Sequence, residues 1–277
     1  LRSYGILDTE RESTLDGIAK AAALVCGTPI ALINFIDRDR QWTKARTGID
    51  ITEMPVDASV CGCAIRQPGL FIVPDLRQDQ RFDRLPLVAE QPHLRFYAGV
   101  PLTTAGGLPL GMLCVLDHAP RAEGLTDEQV ETLRSLAEAV MSHLDLRRAN
   151  ARIVERERRF RTIVDALPQK IWTAHADGSN DYFNRRWYDY TGVRPGETDG
   201  IGWIVLVHPE DRERARTRWQ RSIETGEDFE VECRLRHRAG EYRWMLARAH
   251  ALRNRRGRVE RWFGTCTDIH RTKTAEQ

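Results

Sequence analysis

Cys61 and Cys63, in the stretch SVCGCAI at residues 59–65, stand one residue apart. Of all the residues in the chain, their type and spacing most readily suggest chemistry. A thiol pair can hold a soft metal, carry a chromophore or react with oxidants. No second CxxC and no His pair lies close enough in sequence to complete a four-ligand zinc site. The other cysteines, Cys26, Cys114, Cys233 and Cys266, show no framework spacing. With 277 residues, 41% of them hydrophobic, the chain can build its cores without disulfides. The expectation is a reduced, cytoplasmic protein in which Cys61 and Cys63 are packing residues, with redox sensitivity and metal or chromophore binding as the alternatives.

Other chemistry is hard to find. The chain has no GxxxxGK phosphate loop, no HExxH helix and no GxSxG nucleophile elbow. The glycines of GGLPLG, residues 106–111, lie between two strand patterns rather than before a helix, so they read as a hairpin turn. Residues 147–161, RRANARIVERERRFR, carry seven Arg, but two Glu break the charge and aromatics are not interleaved. This run reads as the solvated face of a helix rather than a nucleic-acid patch. The net charge of +2 gives no global attraction to nucleic acid. No apolar run of about 18 residues suggests a membrane span. LRSYGILDTE, without Met or a signal-peptide core, reads as an internal piece of something longer.

The elements that must position these residues form two groups. RESTLDGIAKAAALV is an amphipathic helix, with Leu15, Ile18, Ala22 and Val25 three and four apart, and Gly27 ends it. PIALINFID, QWTKART and LFIVPD read as strands, and RFYAGVPLTT with LGMLCVLD as a hairpin. A capping box of Thr126 with Gln129 opens a long helix. Along it Val130, Leu133, Ala137, Val140 and Leu144 recur as in a coiled coil, so they are expected to form the seam of a parallel homodimer, which Arg147 at the next position would loosen. Helical signal continues through Phe160, Ile163, Val164 and Leu167 to Pro168. Unbroken, such a helix reaches about 60 Å and joins two domains. The second group has strands at KIWTAH and DYFN, a helix from Pro209 with Ala215, Trp219 and Ile223 inward, and an antiparallel meander of DFEVECRLRH, EYRWMLARAHAL and RVERWFGTCTD.

The first group resembles a bacterial GAF domain, through ILDT, PIALINFID, QWTKARTG, SVCGCAI, IVPDLRQDQRF, RFYAGVPL and LGMLCVLD. The second resembles a PAS domain, through WTAHADGSNDYFNRRWYDYTG, HPEDRERA, FEVECRLRHRAGEYRWM and RWFGTCTDIH. The resemblance implies an α+β chain of two domains, each with a central antiparallel sheet flanked by helices. The expected boundaries are 1–146 for the GAF-like domain, 147–159 for a helical linker and 160–277 for the PAS-like domain with the start of an outgoing linker. It also implies that SVCGCAI begins a helix, with Ser59 as N-cap. Positions i and i+2 of a helix diverge, so Cys61 and Cys63 would not share one zinc.

Bilin-binding GAF domains follow their Cys with His, whereas Gly62 and Ala64 stand here. The flavin-binding Cys stretch, the PAS haem His and the GAF cyclic-nucleotide signature are missing as well. No cofactor and no metal are therefore expected. The ligand-binding candidates are Trp42, Cys61, Cys63, Phe96 and Tyr97 in the first domain and Trp172, Phe183, Trp187, Trp203 and Trp244 in the second; Trp219 is a further aromatic that could line a cavity. Asp268 in TDIH is placed to cap an outgoing helix, by accepting the N–H of His270 or Arg271, and to couple the sheet to it.

These features point to a sensory input module without catalysis of its own. It would signal through the connector helix to an output domain in cis, a histidine kinase by expectation. The alternatives are a bilin, flavin or haem sensor, a diguanylate cyclase input module, or a dimerisation scaffold.

Overall fold

A computed structural model describes residues 1–275 of the chain, which divide into two compact units, Leu1–Ile153 and the residues from Val154 onward. Both are α+β.

The first unit begins with helix α1 (Ser13–Cys26), which ends where Gly27 turns left-handed at φ 62° and its N–H returns to the last turn. Strands β1 (Ile30–Asp37) and β2 (Arg40–Thr47) form a hairpin, and β3 (Glu53–Pro55) lines its edge. Helix α2 (Val60–Ala64) follows, with Ser59 as its N-cap: the Ser59 hydroxyl accepts the Gly62 N–H at 2.8 Å. Then come β4 (Phe71–Val73), α3 (Pro86–Ala89), and the hairpin of β5 (Phe96–Thr103) with β6 (Pro109–Asp117). The six strands pair antiparallel in the order β3-β2-β1-β6-β5-β4.

Strand alternation sends the central strands' side chains to two different cores. Ala31, Ile33, Phe35, Phe96, Ala98, Val100, Leu113 and Val115 pack with α1. Ile30, Leu32, Tyr97, Met112, Cys114 and Leu116 pack with α2 and the segments around α3.

Helix α4 (Asp127–Ala166) starts at the expected capping box: the Thr126 N–H donates to Gln129 Oε1 at 3.0 Å, and the Gln129 N–H to Thr126 Oγ1 at 3.3 Å. Its apolar repeat corrects the expected dimer seam. Leu133, Ala137, Val140 and Leu144 are all at most 3% exposed, sealed in the same core as α1 and the sheet, and Val130 is half-buried. A residue already covered by its own domain is not free to meet a second copy. Arg147 departs from expectation too, because it ion-pairs with Glu12 instead of standing unpaired in a seam.

Glu12 is the hub of a polar clamp. A bulge in β2 leaves Lys44 without a cross-strand partner, and Lys44 Nζ reaches Glu12 at 2.8 Å and Thr9 Oγ1 at 2.7 Å. His143 Nε2 meets the other Glu12 oxygen at 3.0 Å. Burial works against the charge on Glu12, but hydrogen bonds from Lys44 and His143 and the charges of Lys44 and Arg147 outweigh it and hold the carboxyl at about 2. Two residues of α4 and one of β2 thus converge on one carboxylate.

The second unit contains β7 (Lys170–His175), β8 (Asn180–Phe183), α5 (Arg185–Thr191), α6 (Pro209–Thr225), β9 (Phe229–Arg236), β10 (Tyr242–Arg253), β11 (Val259–Asp268) and α7 (His270–Ala275). Its five strands pair antiparallel in the order β8-β7-β11-β10-β9. Helix α6 starts at Pro209, with His208 Nδ1 accepting the Glu210 N–H at 3.4 Å, and lays Ala215 and Trp219 on the sheet.

Candidate functional site

Each unit holds a small cavity of about 30 Å³, room for about one water.

In the first unit the cavity lies between the sheet and α2, with Gln41, Ser59, Cys61, Tyr97 and Cys114 among apolar residues in its wall. The polar groups here form a connected cluster. Thr43 and Asn34 are cross-strand partners, and the Thr43 hydroxyl donates to Asn34 Oδ1 at 2.9 Å. This turns the Asn34 amide nitrogen toward two sulfurs, Cys61 Sγ at 3.4 Å and Cys114 Sγ at 3.6 Å. The two sulfurs lie 3.7 Å apart, and Tyr97 Oη is 3.2 Å from Cys61 Sγ.

Gly99 makes the room. It stands opposite Cys114 on the neighbouring strand, and a Cβ there would come within 2.5 Å of the Tyr97 hydroxyl. Gly62 is required by a different close approach, since a Cβ on it would meet the Val56 carbonyl at 2.3 Å.

The hydrogen bond from Cys114, and after it those from Tyr97 and Asn34, hold the Cys61 thiol below its ordinary value in spite of burial. Cys114, sharing its proton with Cys61 and buried, is pushed well above its ordinary value, and burial does the same to Tyr97. Gln41 Oε1 is buried in this wall without a hydrogen-bond partner.

The sequence candidates separate on this geometry. Cys61 and Tyr97 share the cavity. Cys63 does not: it is partly exposed in a surface depression with Arg66 and Arg81. Trp42 and Phe96 lie on the opposite face of the sheet, Trp42 stacked on Phe35 at 6.5 Å and Phe96 under Arg121 at 5.4 Å. Sequence reasoning missed Asn34, Thr43, Gln41 and the pairing of Cys61 with Cys114. The signal available was a polar Asn inside the apolar run IALINFID.

In the second unit the cavity is aromatic. Trp172, Phe183, Trp187 and Trp203 lie in its wall, together with Trp219, Phe229, Asn180, Ala247 and Cys266. Trp219 is the hinge of this cluster, edge-on to Trp172 at 5.5 Å and to Phe229 and Trp262 at 5.0 Å, while its Nε1–H donates to the Gly178 carbonyl at 3.2 Å. Trp187 stacks on Phe183 at 4.5 Å and donates its Nε1–H to Thr198. Trp244 is not in this wall; it lies under the Arg234 guanidinium at 5.3 Å. Asp268 Oδ1 accepts the His270 N–H at 2.9 Å at the start of α7, and Oδ2 lies 3.3 Å from Arg243 Nε.

Among the described residues no three His, Cys, Asp or Glu side chains converge as a metal site, and no helix is long and apolar enough to cross a membrane.

Comparison with known proteins agrees with this architecture. A family model described as the GAF domain matches residues 10–144, and one described as the PAS fold matches residues 180–266. A cyclic di-GMP phosphodiesterase of Pseudomonas aeruginosa is 41% identical over 151 residues, which is 54% of this chain and 26% of that protein. A peroxide stress-activated histidine kinase of Schizosaccharomyces pombe is 27% identical over 157 residues, 53% of this chain and 9% of that protein. The chain thus spans about a quarter or less of these relatives. The solved N-terminal domain of a diguanylate cyclase with a PAS/PAC sensor, from Marinobacter aquaeolei, is 26% identical, with a TM-score of 0.35, over 38% of this chain and 98% of that one.

Proposed function

We propose that this chain, which carries a GAF domain followed by a PAS fold, is a signal-transduction input module working in the cytoplasm, where its six cysteines, free in the structure, rest as thiols. The observation that carries the reading is helix α4. Its first half is built into the GAF core, and the same unbroken helix runs on to Ala166, four residues before the first strand of the PAS sheet. A small molecule that alters the packing of the GAF core therefore acts on a rod that leaves the domain. The catalytic output lies in a domain in cis, a histidine kinase. Relatives named as histidine kinases support this, and the relative named as a cyclic di-GMP phosphodiesterase defines the second reading.

Incubating the intact protein with radiolabelled ATP tests the output. Acid-labile, base-stable phosphohistidine is the expected product; synthesis or hydrolysis of cyclic di-GMP without it overturns the kinase reading. In the same assay Asp268→Ala should change basal labelling several-fold, because a cap of about 1 kcal/mol is enough to bias a two-state helix. The melting temperature should fall only modestly. Unchanged labelling removes Asp268 from the coupling.

The module acts as a parallel homodimer through α4, on a different seam from the one the apolar repeat suggests. Leu146, Ile153 and Phe160 recur every seven residues and are each exposed by at least 45%. This is the spacing of a coiled-coil seam, and it leaves the GAF core undisturbed. By light scattering the wild type should be a dimer and Ile153→Asp a folded monomer, whereas Leu133→Asp should unfold the GAF domain. A dimer that survives the combined Leu146→Asp and Ile153→Asp changes shows the seam to be elsewhere.

A further inference from the structure

The cysteine sulfurs that meet in the folded chain are not the pair that sequence proximity suggests. Cys61 and Cys63 are neighbours in the chain, yet they occupy different environments, one buried and one in a surface depression. Cys61 and Cys114, 53 residues apart, bring their sulfurs to 3.7 Å. A disulfide needs about 2.05 Å, so closing the pair requires a movement of about 1.7 Å. One sulfur lies on the five-residue helix α2 and the other on the central strand β6.

The surroundings suit one sulfur as nucleophile and the other as its partner. Cys61 Sγ is met by the Tyr97 hydroxyl, the Asn34 amide and the Cys114 thiol, three groups that stabilise negative charge on it. The Asn34 amide is locked in this orientation by Thr43, so its donor faces the sulfurs permanently. The adjoining cavity of about 30 Å³ takes a molecule near the size of water, and the unpartnered Gln41 Oε1 in its wall is an acceptor waiting for an O–H donor. Hydrogen peroxide is little larger than water and carries two such donors.

We propose that Cys61 and Cys114 are a two-electron redox pair oxidised by hydrogen peroxide, with Cys61 as the attacking thiol and Cys114 as the resolving one. Cys61 sulfur attacks one peroxide oxygen and the O–O bond breaks. The departing oxygen leaves as water with the proton from Cys61, and Cys61 becomes a sulfenic acid. Cys114 sulfur then attacks the sulfenic sulfur and expels its hydroxyl as a second water, taking the Cys114 proton. Two thiols and one peroxide give one disulfide and two waters. The disulfide fastens α2 to β6 across the cavity and removes both thiols from the hydrogen bonds of Tyr97 and Asn34. This site does not depend on which output domain the module serves.

The test is peptide mapping of the 277-residue protein after peroxide treatment in native buffer, with free thiols alkylated under denaturant. The expected product is a Cys61–Cys114 crosslink that dithiothreitol reverses, formed in wild type and in Cys63→Ser alike. In Cys114→Ala the reaction should stop at a Cys61 sulfenic acid, trapped by dimedone. Recovery of Cys61 and Cys114 as free thiols at peroxide concentrations that oxidise Cys63 overturns the proposal, as does a Cys61–Cys63 disulfide in wild type. Because the crosslink is read in wild type and Cys63→Ser, the result stands even if Cys114→Ala folds poorly.

Discussion

Glu12→Ala should destabilise the GAF domain by about 3–5 kcal/mol, a loss expected when one partner of a buried ion pair is removed. Lys44 has a fully buried side chain and would be left with its charge and no carboxylate. For a domain of this size the melting temperature should fall by roughly 6–20 °C. Because the folded state holds Glu12 at about 2, below its ordinary 4.5, folding favours the ionised form. That contribution is complete above about pH 4.5 and is lost as pH falls toward 2. The gap between wild type and variant should therefore be largest near neutral pH and close on acidification. Chemical denaturation at pH 7, 4 and 2.5 measures it, and a gap that does not depend on pH would mean that Glu12 acts through packing alone. Glu12→Gln, which keeps most of the shape, should lose nearly as much if charge is the cause.

Trp219→Ala in the PAS fold should cost about 3–5 kcal/mol, because it removes the ring against which Trp172, Phe229 and Trp262 all pack edge-on. The void opens beside the existing aromatic cavity, whose wall includes Trp219. Indole at millimolar concentration should then restore part of the lost melting temperature in the variant and leave wild type unchanged, since a ligand stabilises the state that binds it. Equal effects of indole on both proteins, or none on the variant, would show that the cluster collapses into the void. The same experiment asks whether this aromatic cavity can take a small apolar ligand.

Much of the architecture is legible in local signals. Gly27 after an amphipathic run, the reciprocal Thr126–Gln129 cap and Pro209 at the first turn of α6 each specify backbone from a few adjacent residues. These elements need no distant partner to be recognised, because capping and turn chemistry are satisfied within about four residues. The order of the two domains was legible for the same reason, since each family's stretches are contiguous.

What the sequence could not specify was which surface each buried residue meets. The repeat Leu133, Ala137, Val140, Leu144 states that one face of α4 is covered, and periodicity is the same whether the cover is a second helix or the domain's own core. Only the folded GAF core supplies the partner, and with it moves the exposed stripe to Leu146, Ile153 and Phe160. Phe96 and Tyr97 are adjacent in sequence, yet strand alternation sends them to opposite faces of the sheet. One enters the core beneath α1 and the other the cavity beside α2. The chemistry of SVCGCAI was decided in the same way. Adjacency in the chain joins Cys61 to Cys63, but the pairing of β1 with β6 and of β5 with β6 places Cys114, Asn34 and Tyr97 around Cys61. Hydrogen bonds and sulfur contacts reach only 3–4 Å, a proximity that tertiary packing creates between residues 27 or more positions apart as readily as between neighbours.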